Sequence, residues 1–216
     1  MSGRINGIIW DWNGTLLDDI LHSVATINGL LKRRGIPELS LGRYKDVFSF
    51  PVKDYYEKIG FDFSKESFEI PAREFIDAYN SGVADCALHE QAVATLEFFR
   101  QQNFRQFIVS AMQQETLDQC IEHYQIGQFF ERVSGLDNHY AASKIENAKR
   151  MIDDLQLNPA ELILIGDTIH DFEVASELGC RCILVTCGHQ SREVLQTTGT
   201  TIADDLEQLK SLLLNN

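Results

Sequence analysis

Apolar residues along the chain follow two different spacings. Between residues 18 and 82 they recur at helical spacing, as at Ile20, Val24 and Ile27. From residue 88 onward, short apolar runs of strand length alternate with helical patterns. Strands that alternate with helices predict a parallel sheet whose crossover connections are right-handed. The change of pattern therefore predicts an all-helical insert, placed directly after the first strand of an α/β fold.

These two patterns predict the individual elements. Helices are predicted over residues 18–34, 40–48, 52–59, 64–79, 89–102, 113–124, 144–155, 172–178, 191–195 and 204–214. Strands are predicted over residues 5–10, 106–110, 131–134, 162–166 and 181–186. The expected fold is an α/β, Rossmann-like parallel sheet with helices on both faces. Residues 1–16 and 85–216 would form this core, and residues 17–84 would form a helical cap.

The first strand belongs to the most informative stretch, Ile5 to Leu17. Its apolar residues suit the central strand of a parallel sheet buried on both faces, and they end at Asp11. Open α/β sheets place their ligand sites at the carboxyl ends of strands. A carboxylate at that place can attack phosphorus or hold a metal ion. Asp, Asn and Gly are also common in turns, so the segment from Asp11 to Gly14 is by itself equally compatible with a simple turn.

Polar residues follow other predicted strands in the same way. Ser110 ends the second predicted core strand, and Asp167 and Asp171 follow a run of four apolar residues. Lys144 begins a helix after a polar stretch. Because parallel strands bring their carboxyl ends to one edge of the sheet, these groups can converge with Asp11 on one site.

The composition is that of an ordinary globular protein, since the 216 residues are 44% hydrophobic and 24% charged. No run of about 18 apolar residues is present to span a membrane, and the N-terminus lacks a signal-peptide pattern. A cytoplasmic location without membrane partners is therefore expected. The five cysteines have no framework spacing and are expected to be reduced thiols.

The net charge of −13 bears on the partners of the protein. It argues against nucleic acid as a partner, because no basic stripe offsets it. It also repels anionic substrates at long range, so a phosphate site would need local positive charge from a cation or a few lysines. The oligomeric state is left open by the sequence.

In these motifs the chain resembles the haloacid dehalogenase superfamily, in its phosphatase branch with a helical cap after the first motif. It looks most like phosphoglycolate-phosphatase-type members. The resemblance rests on residues 11–16, Ser110, Lys144 and residues 166–171, in the family's order and separation, and it covers nearly the whole chain. It implies a Mg²⁺-dependent phosphatase that hydrolyses a small phosphorylated metabolite.

The resemblance also implies a role for the acidic residues. Asp11 would attack phosphorus and carry an aspartyl-phosphate. Asp11, Asp167 and the backbone carbonyl of Asn13 would bind Mg²⁺, for which an oxygen-only ligand set is suited. Asp171 would hold the metal directly or through water.

Three basic or hydroxyl-bearing residues would contact the substrate. Ser110 and Lys144 would bind the phosphoryl oxygens, although Ser110 could also cap the helix that follows it. Lys149 is the rival of Lys144, but it should face a different direction on the helix. In the cap, Lys53 lies in a segment that resembles the family's substrate-specificity segment. It could contact an anionic leaving group, although most lysines are solvated surface residues.

Asn13 departs from the family pattern, in which the residue two after the nucleophile is a second Asp acting as general acid and base. An amide can neither protonate a leaving alkoxide nor deprotonate water, and such catalysis is worth roughly 10²–10⁴ in rate. The substrate could have a good leaving group, the protein could be a weakly active or non-catalytic phosphoester-binding relative, or Asn13 could be an engineered change. The intact remainder of the motif favours a phosphatase. A phosphotransferase or sugar-phosphate mutase is the alternative enzyme.

Overall fold

The centre of the protein is a parallel sheet in the computed structural model, which describes residues 4–136 and 143–214. The strands in chain order are β1 (Gly7–Trp10), β2 (Leu17–Asp18), β3 (Ala87–Leu88), β4 (Arg105–Gln113), β5 (Arg132–Leu136), β6 (Leu162–Gly166), β7 (Arg181–Val185) and β8 (Thr201–Ala203). Six of these strands form one parallel sheet in the order β5-β4-β1-β6-β7-β8. The predicted parallel sheet is therefore confirmed.

Helices connect the strands and cover both faces of the sheet. They are α1 (Ile20–Arg33), α2 (Leu41–Val47), α3 (Val52–Lys58), α4 (Glu69–Asn80), α5 (Ala92–Gln101), α6 (Gln114–His123), α7 (Lys144–Asp154), α8 (Ile169–Leu178), α9 (Arg192–Gln196) and α10 (Gln208–Leu214). Among the residues that the structure describes, no helix has the length and hydropathy needed to cross a membrane.

Strand β1 lies at the middle of the sheet, between β4 and β6. Trp10 is in register with Ile108 on one side and with Ile165 on the other. All four residues of β1 are buried, as expected for a strand covered on both faces. The carboxyl ends of these three strands therefore meet at one edge, directly before Asp11.

Successive residues of β1 point to opposite faces of the sheet and pack into different hydrophobic clusters. Ile8 and Trp10 belong to a cluster with buried residues of α5, α6 and α10. Ile9 belongs to a cluster with buried residues of α7 and α8. The sheet is thus sandwiched between two helical layers, as the sequence pattern predicts.

Helices α1–α4 form a helical cap inserted between β2 and β3. Their apolar residues make a third hydrophobic cluster, in which Tyr44 of α2 is buried. Strands β2 and β3 pair antiparallel, with Leu17 opposite Leu88, and this ribbon joins the cap to the sheet. The helical insert is confirmed, whereas the domain limits at residues 17 and 84 stay a prediction.

Several elements differ from the sequence-based expectation. The pattern misses β2, β3 and β8 because strands of two or three residues are too short to show alternation. Strand β4 continues past Ser110 to Gln113 through an irregularity in its pairing with β5. Helix α8 begins at Ile169, three residues earlier than expected, because Thr168 and Asp171 form a capping box.

Helix α4 begins at Glu69 rather than at residue 64. The Asp62 carboxylate accepts hydrogen bonds from both the backbone N–H and the hydroxyl of Ser64, which holds a turn in place of the first helical turn. The polar stretch expected before α7 includes residues 137–142, which lie outside the described residues.

Candidate active site

Asp11 stands directly after β1, at the carboxyl edge of the sheet. Its backbone N–H donates to the carbonyl of Ile165 on β6 (2.8 Å), and its side chain is buried. The chain then turns at Gly14, whose φ of +71° favours glycine. A Cβ added at Gly14 would lie 2.4 Å from a carboxylate oxygen of Asp167. The backbone of the turn therefore packs directly against the side chain of Asp167, a second acidic residue.

Three carboxylates meet at this edge of the sheet. One oxygen of each of Asp11, Asp167 and Asp171 lies within 4.8 Å of the others, and all three side chains are buried. We call these three residues the acidic cluster. Asp167 accepts a hydrogen bond from Thr15 Oγ1 (2.9 Å), and Asp171 is held in the capping box of α8. Oxygen-only donors in such a group suit a hard divalent cation.

Lys144 brings positive charge to the acidic cluster. It is the first residue of α7, and its buried ammonium donates to the carboxylates of both Asp11 and Asp171. Burial by itself would lower the pKa of Lys144, but the two carboxylates raise that pKa above its usual value. Burial would raise the pKa of Asp171, but Lys144 and further hydrogen bonds lower it. Both groups are therefore charged.

Negative charge exceeds positive charge in this buried region. Within residues 4–136 and 143–214, the buried acids are Asp11, Asp19, Asp167 and Asp171, and the buried bases in contact with them are Lys144 and His189. Burial raises the pKa of Asp11 and of Asp167, because an ionised carboxylate is costly to hold out of water. With all four acids ionised, these described side chains carry two excess negative charges, which a bound divalent cation would balance. The residues present therefore fit such an ion.

Ser110 lies on β4, beside the end of β1. Continuing the sheet register beyond Trp10 and Ile108, Asp11 aligns with Val109, and Ser110 is the next residue of β4. Its Oγ accepts a hydrogen bond from the backbone N–H of Met112 (3.0 Å), which leaves the hydroxyl hydrogen for another acceptor. The N-cap of α6 is Gln113, so the alternative in which Ser110 caps that helix is wrong.

The side chain of Asn13 is held by two neighbours. Its Nδ2 donates to Asp19 Oδ2 (3.0 Å) and to the hydroxyl of Tyr79 on α4 (2.7 Å). The Tyr79 hydroxyl in turn donates to Asp19 Oδ2 (2.6 Å). The NH₂ end of the Asn13 amide therefore faces Asp19 and Tyr79, which leaves its side-chain oxygen as the end that can contact a ligand.

Asp19 and His189 form a buried pair between the cap and the sheet. Nε2 of His189 lies 3.2 Å from Asp19 Oδ1, and its Nδ1 lies 2.9 Å from the hydroxyl of Tyr44 on α2. Burial opposes ionisation of Asp19, but His189 and several hydrogen-bond donors bring its pKa to about 2. Burial would lower the pKa of His189, but Asp19 raises it to about 9. The pair is therefore ionised at neutral pH.

The loop after β7, residues 186–191, contacts both the acidic cluster and the cap, and we call it the docking loop. The backbone N–H of His189 donates to Asp167 Oδ2 (2.6 Å). A Cβ added at Gly188 would lie 2.1 Å from the Asp167 side chain, so the loop packs tightly on that residue. On its other side, Gln190 Nε2 donates to the carbonyl of Phe48 in the cap (2.8 Å).

Further contacts hold the cap on the edge of the sheet. Lys45 Nζ on α2 donates to the carbonyl of Thr186 in the docking loop (3.0 Å). The ring of Phe50 lies 4.8 Å from that of His170 at the start of α8. The cap is therefore docked over the acidic cluster, which explains why the cluster is buried.

Two lysines considered from the sequence lie elsewhere. Lys53 is exposed on α3, with its ammonium 5.9 Å from the centre of the Phe63 ring. None of the contacts within residues 4–136 and 143–214 joins Lys53 to the acidic cluster, and its role at the leaving group stays a prediction. Lys149 is exposed and pairs with Glu177 (2.6 Å), so Lys144 is the lysine at the cluster.

Sequence reasoning does not identify four of the residues that build the site: Thr15, Asp19, Tyr79 and His189. His189 carries a signal that could have found it, because a polar residue after a parallel strand is the same feature that points to Asp167. Asp19 and Thr15 lie in the stretch that begins at Asp11. Tyr79 carries no such signal, since its contact with Asp19 depends on how the cap docks.

Comparison with known protein families places the chain in one of them. The profile of the haloacid dehalogenase-like hydrolases matches residues 8–185, which include Asp11, Ser110, Lys144 and the acidic residues around the start of α8. The chain is a haloacid dehalogenase-like hydrolase. The resemblance inferred from the sequence motifs is thereby confirmed.

Curated relatives of this hydrolase have different activities in their names. The chain is 24% identical to the tyrosine-protein kinase PtkA of Mycobacterium tuberculosis, over 95% of this chain and 72% of that protein. It is 22% identical to the phosphoglycolate phosphatase of Aliivibrio fischeri, over 99% of this chain and 98% of that protein. Because the names differ, the family alone leaves the substrate open.

Solved structures share the fold of the hydrolase. A predicted phosphatase from Clostridium acetobutylicum superposes with a TM-score of 0.83 at 18% identity, covering 99% of this chain and 100% of that one. The structure of PtkA from Mycobacterium tuberculosis gives a TM-score of 0.81 at 21% identity, over 97% of this chain and 98% of that one. The core and the cap therefore belong to an architecture that the wider family also adopts.

Proposed function

We propose that the protein is a Mg²⁺-dependent phosphatase of a small phosphomonoester, acting through an aspartyl-phosphate on Asp11. The observation that carries this proposal is the contact of the buried Asp11 carboxylate with Lys144, beside two further carboxylates. A nucleophile, a cation site and a positive group for the phosphoryl oxygens are the parts that such a transfer needs. Relatives named phosphoglycolate phosphatase support a phosphatase activity.

The reaction would proceed in two steps at Asp11. An Asp11 oxygen attacks phosphorus, and the bond from phosphorus to the leaving oxygen breaks as the aspartyl-phosphate forms. Lys144 and Ser110 offer an ammonium and a hydroxyl to the phosphoryl oxygens that gain charge. Water then attacks phosphorus and restores the Asp11 carboxylate. The docked cap keeps these groups out of bulk water, which strengthens their electrostatic contacts.

The proposed Mg²⁺ ligands are oxygens: the side chains of Asp11, Asp167 and Asp171 and the backbone carbonyl of Asn13. When bound, the ion reduces the repulsion between the attacking carboxylate and the dianionic phosphoryl group. Thr15 and the backbone N–H of His189 orient the Asp167 carboxylate toward this place. A cytoplasmic location is part of the same proposal.

Phosphate release from p-nitrophenyl phosphate with Mg²⁺ tests the proposal. We expect release by the native protein and a loss of at least about 10³-fold in kcat for Asp11→Asn, because the nucleophile is gone. Asp18→Asn, which neutralises an exposed carboxylate in the same stretch, is the matched control and should keep the native rate. If Asp11→Asn retains full activity, Asp11 is not the nucleophile.

A phosphotransferase is the second candidate function. The relative PtkA is named a tyrosine-protein kinase, and Asn13 provides no base that would activate water. Such an enzyme would pass the phosphoryl group from Asp11 to a hydroxyl acceptor. Labelled phosphoryl transfer to an added alcohol without matching release of phosphate would identify it, and interconversion of glucose phosphates would identify a mutase.

A further inference from the structure

The NH₂ group of the Asn13 amide is directed at Asp19 and at the Tyr79 hydroxyl. Its Nδ2 lies 3.0 and 2.7 Å from these two oxygens. The Tyr79 hydrogen is directed to Asp19 (2.6 Å), so the Tyr79 oxygen must accept from Asn13. Rotating the amide by 180° would place its oxygen against a carboxylate. The network therefore fixes which atom of Asn13 remains available, and that atom is an acceptor.

Three further side chains of the described residues near Asn13 that could donate a proton also have partners. The two ring nitrogens of His189 contact Asp19 and the Tyr44 hydroxyl. Nε2 of His89 lies 3.1 Å from the carbonyl of Gly14. The Tyr79 hydroxyl is directed to Asp19, as described above. In the described parts of the chain around the turn at Gly14, each of these side chains already has a partner.

Within residues 4–136 and 143–214, Lys144 is the lysine at the acidic cluster. Its ammonium donates to the carboxylates of both Asp11 and Asp171. It is therefore placed to stabilise charge on the phosphoryl oxygens.

We propose that this site cleaves phosphates whose leaving oxygen departs as a stable anion, namely aryl phosphates, acyl phosphates and phosphoanhydrides, and cleaves alkyl phosphates poorly. The inference rests on the proposed function of Asp11 as the nucleophile. As Asp11 attacks, the electron pair of the breaking bond stays on the leaving oxygen, which departs as a phenolate, carboxylate or phosphate. No proton is transferred to it from residue 13.

The second step does not need a proton donor. Water attacks the phosphorus of the aspartyl-phosphate, the bond to the Asp11 oxygen breaks, and its electron pair restores the carboxylate. Both protons of the water stay with the orthophosphate, which exchanges them with solvent. The free oxygen of Asn13 can accept a hydrogen bond from that water and orient it.

Asp19 is a positioning residue in this scheme, and it explains why residue 13 is an amide. A carboxylate at position 13 would lie about as close to Asp19 as the Asn13 amide does, at 3.0 Å. Two carboxyl groups at that distance in a buried site share one proton, because both cannot stay charged there. The proton of an acid at position 13 would then be held against Asp19, whereas the exchange Asn13→Asp/Asp19→Asn keeps one amide and one carboxyl group in contact.

The first test uses the native protein with 4-nitrophenyl, phenyl and benzyl phosphate, which are similar in size. The value of kcat/KM reports the steps up to formation of the aspartyl-phosphate. We expect it to fall by roughly 10²–10⁴-fold from 4-nitrophenyl to benzyl phosphate, the range that a missing general acid accounts for. A fall of less than 10-fold would overturn the inference, because the leaving group would then be receiving a proton.

The second test compares Asn13→Asp/Asp19→Asn with Asn13→Asp alone. We expect the exchange to raise the benzyl to 4-nitrophenyl ratio of kcat/KM by roughly 10²-fold, because an acid is restored. In the single variant the added carboxyl shares its proton with Asp19, so the ratio should rise by less than about 10-fold. The ratio is taken within each variant, so it does not depend on the fraction of folded protein. A single variant that matches the exchange would overturn the role of Asp19.

Failure of the inference is distinguishable from failure of the proposed function. If Asp11→Asn abolishes turnover but benzyl and 4-nitrophenyl phosphate react alike, Asp11 is the nucleophile and the substrate class is wrong. If neither 4-nitrophenyl phosphate nor acetyl phosphate gives an Asp11-dependent reaction with Mg²⁺, the proposed function is wrong. The inference, which rests on that function, is then wrong as well.

Discussion

At the scale of single residues, the site is a set of buried charges that depend on one another. Lys144 contacts Asp11 and Asp171, and His189 contacts Asp19. Each of these side chains is almost inaccessible to solvent. Removing one partner of a buried pair leaves the other unpaired in a region of low polarity, and this costs far more than the loss of a surface pair.

Two lysines of α7 allow that difference to be measured. We expect Lys144→Gln to lower the free energy of unfolding by about 3–5 kcal/mol, because two carboxylates lose a buried partner. Lys149→Gln breaks the exposed pair with Glu177 and should cost at most about 1 kcal/mol. Urea unfolding without divalent cations compares the two variants. Equal losses would show that the Lys144 pairs are not the buried interactions described.

The sequence can indicate where a residue lies when the end of a single strand determines its position. Asp11, Asp167 and Lys144 come together because parallel strands and the helices between them end at the same edge of the sheet. Asp19 and His189 lie 170 positions apart, and their contact depends on the docked cap. No local pattern carries that information, so the pair could not be predicted.

At the scale of elements, the carboxyl ends of β1 and β6 and the loop after β7 set the shape of the site. The hydrophobic pattern predicts β6 with the same limits that the structure shows, because five consecutive buried residues give a clear signal. It predicts the start of α7 at Lys144, where Ser143 and Glu146 form a capping box. Strands of two or three residues cannot be predicted from the hydrophobic pattern, because their pairing depends on partner strands far along the chain.

The close packing of the docking loop on Asp167 leads to a testable prediction about the proposed Mg²⁺ site. In Gly188→Ala the new Cβ would collide with the Asp167 side chain, so this carboxylate must move. We expect Mg²⁺ affinity, measured by calorimetry, to fall roughly 10–100-fold, as for other changes that disturb a metal ligand indirectly.

Gly29→Ala is the matched control for that substitution. Gly29 lies in α1, and a Cβ there would meet nothing within 4 Å. The control should keep Mg²⁺ affinity and gain up to about 1 kcal/mol in stability, because alanine favours the helix. An unchanged Mg²⁺ affinity in both variants would show that Asp167 is not a ligand of the metal site.

At the scale of the whole molecule, core and cap share one buried site, so binding there should stabilise the entire fold. A ligand that binds the folded state alone adds about 2.7 kcal/mol at 100 times its dissociation constant. We expect Mg²⁺ to raise Tm by several degrees, since each kcal/mol shifts Tm by roughly 2–4 °C in a chain of this size. Calorimetric or fluorescence melting curves with and without Mg²⁺ would measure the shift.

Two variants of equal charge change test whether that shift comes from the acidic cluster. Asp167→Asn should abolish most of the rise in Tm with Mg²⁺, because it removes a proposed ligand. Asp153→Asn removes the same charge from the exposed surface of α7 and should keep the rise. A rise that survives in Asp167→Asn would point to a binding place outside the acidic cluster.

The docking loop links the cap to a residue of the proposed Mg²⁺ site. The backbone N–H of His189 donates to Asp167, and Gln190 donates to the carbonyl of Phe48 in the cap. If the cap opened to admit substrate, the displaced loop would hold Asp167 less firmly, and the proposed ion with it. We expect the turnover rate to keep rising with free Mg²⁺ above the concentration that saturates the resting protein, because the ion must be recaptured in successive cycles.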